Sequence, residues 1–290
     1  MESAALPISV VTLNGARLAF QQFGARGPLI ILVAGASSPM EWWDDDFCLM
    51  LAAGDTASGP RRVVRYDLRD TGQSETVPPG EANYTGSDLV ADLISLIGHT
   101  GAAPVHLVGI SMGAGLVQQV ALARADLLAS ITLMSTTPGS ATGVPLPPPT
   151  DALSATFADG QPETDWADAA AVAAATIDVE RQFSGSIPVD DDRIRRISAS
   201  IFARTESPAS AENHWSLPEG NGQRTDIGSI RVPTLVIHGS EDPFFPLPHG
   251  ERLAELIPGA RLVVVPGMGH QNPPPPTWAQ VTTELLQHTV

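Results

Sequence analysis

VHLVGISMGAGLVQQVALAR, residues 105–124, is the stretch on which the fold turns. Its first five residues, 105–109, are apolar enough to read as a buried strand. From Ser111 to Arg124 the run of Ala, Leu, Val and Gln reads as a helix. Between the two lies Gly109-Ile110-Ser111-Met112-Gly113, a G-x-S-x-G. The pattern alone is common by chance, because Gly and Ser are common. Between a strand and a helix it has a steric meaning. Small residues at 109 and 113 let strand and helix approach closely, and the turn forces Ser111 into strained backbone geometry. That strain exposes the hydroxyl at a helix N-terminus, where the helix dipole favours negative charge.

The pattern outward from this stretch is one of alternation. Residues 17–23, 29–33, 62–66, 105–109 and 131–134 read as strands. Between them, 84–99 places Leu89, Leu93, Leu96 and Ile97 on one helical face. Strands that are apolar throughout and alternate with helices predict an α/β fold, a mostly parallel central sheet with helices on both faces. The alternation stops after Met134. Residues 136–150 are loop and polyproline material, and 151 to about 228 is rich in Ala, Asp and Ser with helical stretches at 166–179 and 191–204. It resumes with strands at 232–238 and 261–265 and helices at 249–257 and 277–288. The expected organisation is a core of residues 1–135 and 229–290, interrupted by a helical cap over 136–228.

Composition excludes several chemistries. The 290 residues carry 32 acidic and 16 basic side chains, a formal net charge of −16, and all sixteen basic residues are arginine. Without lysine there is no Schiff-base chemistry and no Walker-A phosphate loop. One cysteine, Cys48, excludes an intrachain disulfide, a CxxC pair and any multi-Cys metal site. No metal and no cofactor are expected. The acidic balance argues against nucleic acid as a partner. The apolar runs are too short to span a bilayer, and the start, MESAALPISVV, does not read as a signal peptide. The expected location is the cytoplasm; nothing in the sequence sets an oligomeric state.

A serine hydroxyl is a poor nucleophile at neutral pH and needs a base, itself oriented by a carboxylate. Among seven histidines, His270 lies just past the last strand, where a side chain reaches the C-terminal edge of the sheet. His106 lies inside a strand, and His238 precedes the best acid. That acid is Asp242 in GSEDP, directly after a strand and before Pro243, with Glu241 its competitor. Ser111, Asp242 and His270 each stand just past a different strand. For the developing oxyanion, the expected donors are the backbone N–H groups of Met112 and of Ala36 in the loop after 29–33. Trp42, Trp43 and Phe244 are candidate walls of a substrate pocket, though ordinary packing explains each equally well.

Four segments, RYDLRDTGQS (65–74), GISMGAGLVQQVAL (109–122), VPTLVIHGSEDPFFPLPHGERLAELIPGARL (232–262) and VPGMGH (265–270), resemble the α/β-hydrolase superfamily. They are most similar to the aclacinomycin methylesterase-like enzymes of anthracycline biosynthesis, actinobacterial enzymes that cleave a methyl ester on a tetracyclic polyketide. The resemblance covers roughly two-thirds of the chain, with the cap matching only patchily. It implies an α/β-hydrolase fold, Ser111 as nucleophile, Asp242 as acid, His270 as base, and Met112 and Ala36 as oxyanion donors. His214 and Trp215, in NHWSLP, resemble a cap segment that contacts ligand; packing is an equal reading. Where the family has a Gly-Asn type pair, this chain has Ala36-Ser37. Asp67 and Arg69 read as turn and ion-pair residues. The expected activity is a serine carboxylic-ester hydrolase acting through an acyl-enzyme. The alternatives are a lactonase, a C–C hydrolase or a cofactor-free haloperoxidase-type enzyme on the same fold, or a non-catalytic ligand sensor.

Overall fold

The computed structural model describes residues 5–139, 143–159, 164–222 and 224–290. Eight strands form one sheet: β1 (Ser9–Leu13), β2 (Ala16–Phe23), β3 (Leu29–Val33), β4 (Arg62–Tyr66), β5 (Val105–Ile110), β6 (Leu128–Met134), β7 (Thr234–Gly239) and β8 (Arg261–Val265). Their spatial order is β1-β2-β4-β3-β5-β6-β7-β8. Only the β1–β2 and β2–β4 pairings are antiparallel; every later pairing is parallel. The expected mostly parallel α/β sheet is therefore present.

Alternation along a strand sends successive side chains to opposite faces, and β3 shows why a parallel central strand must be apolar throughout. Leu29, Ile31 and Val33 join one core, against α2 (Gly86–Thr100), α3 (Met112–Ala123) and α7 (Pro248–Leu256). Ile30 and Leu32 join the other, against α1 (Asp45–Ala53) and α8 (Trp278–His288). The four apolar residues that predicted α2 are all at most 1% exposed. Asp88 accepts the N–H of Thr85 at the start of α2, and left-handed Gly101 ends it. Cys48 lies in the second core; burial pushes its thiol up to about 12, which makes it a packing residue.

Between β6 and β7 the described cap holds α4 (Asp151–Asp159), α5 (Ala169–Phe183), α6 (Asp191–Arg204) and a 3-10 segment, Pro208–Ser216. Helices α1 and α4 and the 3-10 segment carry no strong sequence periodicity and lie outside the helices that the sequence predicts. The cap has a small core of its own in Ile177, Ile194 and Ile197, closed from the main body by Trp42. Among the described residues no helix is long and apolar enough to cross a membrane.

His106 faces into the sheet and pairs with Ser130 Oγ on β6 at 2.8 Å. Burial, aided by the charge of Arg61 and by His288, lowers its pKa from 6.5 to about 4. In the unfolded chain His106 binds its proton first as pH falls. The stability is thus complete above about pH 6.5 and is withdrawn on the way down to about 4. Burial pushes His214, His238 and His288 in the same direction. Thermal melts between pH 7 and 4 should show Tm falling with acid, and His106→Gln should make that fall shallower.

Candidate active site

Ser111 connects β5 to α3 with φ 52° and ψ −120°, a conformation that costs a non-glycine residue about 1–3 kcal/mol. Three hydrogen bonds hold it there. Its N–H donates to Met134 O at 3.0 Å, and its carbonyl accepts from the Gly115 N–H at 3.1 Å and the Thr136 hydroxyl at 3.0 Å. The two glycines of the motif are needed for contact. A Cβ on Gly113 would lie 2.3 Å from Ala34 O, and one on Gly109 would lie 2.5 Å from Gly113 O. Neither obstacle is a movable side chain, so any larger residue must push α3 off the sheet.

His270, in the loop after β8, places Nε2 2.9 Å from Ser111 Oγ and Nδ1 2.9 Å from Asp242 Oδ2. A carboxylate can only accept, so Nδ1 carries the hydrogen and Nε2 is bare, ready to accept the Ser111 proton. The other oxygen of Asp242 accepts the N–H groups of Phe244 and Phe245 at 2.9 and 2.8 Å. These bonds aim the carboxylate at the imidazole. Glu241, the competing acid, points elsewhere: its carboxylate accepts the N–H and hydroxyl of Ser186. His238 is fully buried, donates Nε2–H to Phe245 O at 2.7 Å, and lies against Asp242 without replacing His270.

The Met112 N–H is the first of α3, where a helix leaves its amides without internal acceptors. The loop carrying Ala36 packs directly on the nucleophile, since a Cβ on Gly35 would lie 3.4 Å from Ser111 Cβ. The Ala36 N–H has no backbone acceptor among the described residues. Both groups thus flank Ser111.

Ser111 and His270 open into a chamber of about 1200 Å³ between sheet edge and cap. Trp42, Phe157, Val179, Phe183, Ile201 and Trp215 supply much of its apolar wall. Phe183 and Phe157 were not found from sequence, because nothing in an Ala-rich cap helix marks which side chains turn inward. Phe183 also accepts the His270 N–H through its carbonyl at 2.7 Å. Glu180 lines the same wall; burial pushes its carboxyl up to about 7, with Arg193 pulling the other way.

The candidate walls divide. Trp42 and Trp215 line the chamber. Phe244 stands edge-on to His270, ring centroids 5.0 Å apart, and packs against its imidazole. Trp43 is not a wall: it is 1% exposed and stacks on Phe47 in the core below the loop. His214 is not a wall either. It is buried, with both ring nitrogens occupied by backbone groups of Ser37 and Arg69. Asp67 pairs with Arg204 of the cap, and Arg69 with Asp92 at 2.7 Å, as turn and ion-pair residues.

Residues 27–272 match the model of the alpha/beta hydrolase fold, and the chain belongs to that family. It is 27% identical to the rhodomycin D methylesterase DnrP of Streptomyces peucetius, over 92% of this chain and 93% of that protein. It is also 27% identical to the 2-hydroxymuconate semialdehyde hydrolase of Pseudomonas putida, over 78% of this chain and 73% of that one. In three dimensions it is similar to the meta-cleavage product hydrolase CumD from Pseudomonas fluorescens IP01, with a TM-score of 0.70 at 20% identity over 97% and 96% of the two chains.

Gly113→Ala should force the N-terminus of α3 away from β3. Denaturant unfolding should then register a loss of about 1–3 kcal/mol, and Ser111 should react more slowly with a fluorophosphonate than in the wild-type chain.

Proposed function

We propose that the protein is a serine carboxylic-ester hydrolase that removes a small alcohol, methanol, from a bulky and mostly apolar aromatic polyketide ester. One observation carries this reading: the hydrogen-bonded chain Asp242–His270–Ser111 ends at the floor of a chamber of about 1200 Å³ with a largely apolar wall. A single small ester would leave that space empty; a multi-ring acyl body fills it. The similarity to methylesterases supports methanol as the leaving alcohol and a place in antibiotic biosynthesis.

In this reading Ser111 Oγ attacks the ester carbonyl carbon while its proton passes to His270 Nε2. Asp242, fixed by two backbone amides, stabilises the imidazolium that results. The carbonyl oxygen becomes an oxyanion and accepts the N–H groups of Met112 and Ala36. His270 then returns the proton to the departing alkoxide, leaving an acyl-serine. Water, deprotonated by His270, attacks the acyl carbon and releases the acid and free Ser111. Nothing in this sequence of steps calls for a metal or cofactor. The net charge of −16 makes polyanionic nucleic acid a poor partner, and we place the enzyme in the cytoplasm with a small-molecule ester as its partner.

Similarity to a 2-hydroxymuconate semialdehyde hydrolase supports C–C bond hydrolysis as the second reading. Turnover of a panel of methyl esters, with methanol measured directly, separates the two. Methanol release that vanishes in Ser111→Ala supports the esterase. Hydrolysis of C–C substrates without methanol release from any ester refutes it. Ala36→Pro removes one oxyanion donor and should lower kcat/KM by about 10²–10³-fold while the fold, followed by circular dichroism, persists.

A further inference from the structure

The cap segment Pro208–Ser216 grips the residue next to the proposed oxyanion donor. Ser37 has φ 55°, rare for a residue other than glycine. Every polar group it offers on this side is taken by the cap. Its N–H donates to His214 Nδ1 at 2.9 Å, its hydroxyl donates to Ala211 O at 2.7 Å, and the same oxygen accepts Trp215 Nε1–H at 3.1 Å. On the far side of the ring, His214 Nε2 lies 2.7 Å from Arg69 O. An amide N–H can only donate and a carbonyl can only accept. The ring is therefore the tautomer with bare Nδ1 and protonated Nε2. His214 is 6% exposed, and burial lowers its pKa, which keeps it in the neutral form that can accept from Ser37.

The peptide joining Ala36 to Ser37 is rigid, so fixing the Ser37 N–H fixes one side of Ala36. Only the two soft dihedrals of Ala36 then separate that anchor from the Ala36 N–H. We propose that His214 is a positioning residue of the oxyanion site: its bare Nδ1 holds the Ser37 amide and thereby aims the Ala36 N–H at the carbonyl oxygen of the bound ester. The inference rests on the esterase reading of Ser111. It makes the cap part of the catalytic apparatus, because the second oxyanion donor is aimed only while Pro208–Ser216 is docked.

Two substitutions separate this role from simple cap anchoring. Asn places its amide group near the position of Nδ1 and can still accept the Ser37 N–H. Gln reaches the position of Nε2 and can still donate to Arg69 O, but it releases Ser37. His214→Asn should keep the Ser37 amide protected from hydrogen exchange. His214→Gln should lose that protection and fall about 10- to 100-fold in kcat and in fluorophosphonate labelling of Ser111, with KM nearly unchanged. Equal losses in the two variants, a Gln variant as fast as wild type, or an unprotected Ser37 amide in the wild-type chain each overturn the assignment. A wild-type chain that takes up no fluorophosphonate overturns the esterase reading, and the oxyanion role with it. Normal labelling of the wild type together with any of the three former results overturns the clamp alone.

Discussion

The backbone of Ser111, held at a positive φ between β5 and α3, is the constraint around which this molecule is organised. A conformation that costs energy locally persists only when its surroundings over-determine it. Here the surroundings are the middle of an eight-stranded sheet. β5 lies between β3 and β6, and Ser111 is tied to both neighbours: its N–H reaches Met134 at the end of β6, and the loop beyond β3 packs on its side chain. Glycine at 109 removes the Cβ that would keep α3 away from β5, and glycine at 113 the one that would keep it away from the end of β3. The strain thus lies on the best-buttressed element, and the serine hydroxyl is presented at the strand ends.

Around that point the cap acts as more than a roof. Its polar groups dock on the loops after β3, β7 and β8. Phe183 O accepts the His270 N–H, Ser186 occupies Glu241, and the 3-10 segment holds Ser37. Arg204, at the end of α6, pairs with both Glu41 and Asp67. Buried pairs of this kind contribute little net stability, because desolvation offsets attraction, but breaking one leaves an uncompensated charge and is costly. The cap core itself is small, three isoleucines closed by Trp42. Its position over the sheet edge is therefore defined as much by specific polar contacts as by apolar burial.

Much of the core was legible from periodicity. The apolar run of β3, the Leu89–Leu93–Leu96–Ile97 stripe of α2 and the strand–turn–helix around Ser111 each have a pattern that one physical arrangement satisfies. Ser111, Asp242 and His270 were legible because each follows a strand, and strands in a parallel sheet end on one edge. The hydrogen bonds that join them fit that order. The misses have a common cause. Trp43 and His214 stand in the same kind of segment as Trp42 and Trp215, yet only the last two line the chamber. Neighbouring positions in irregular segments have no period from which direction can be read. Phe183, at the end of an Ala-rich helix, gave no more warning.

The sequence by itself determined the α/β alternation, the strained serine turn and the strand ends past which the other two side chains of the site lie, because short-range sterics and strand order dictate them. The tertiary structure alone decided between Asp242 and Glu241, by giving one to His270 and two backbone amides and the other to Ser186. It alone decided which aromatics face the chamber, and it alone brought His214 to Ser37 across 177 residues of chain. Those outcomes depend on how an irregular cap docks onto loops remote in sequence. That docking is set by pairwise contacts, which no local pattern encodes.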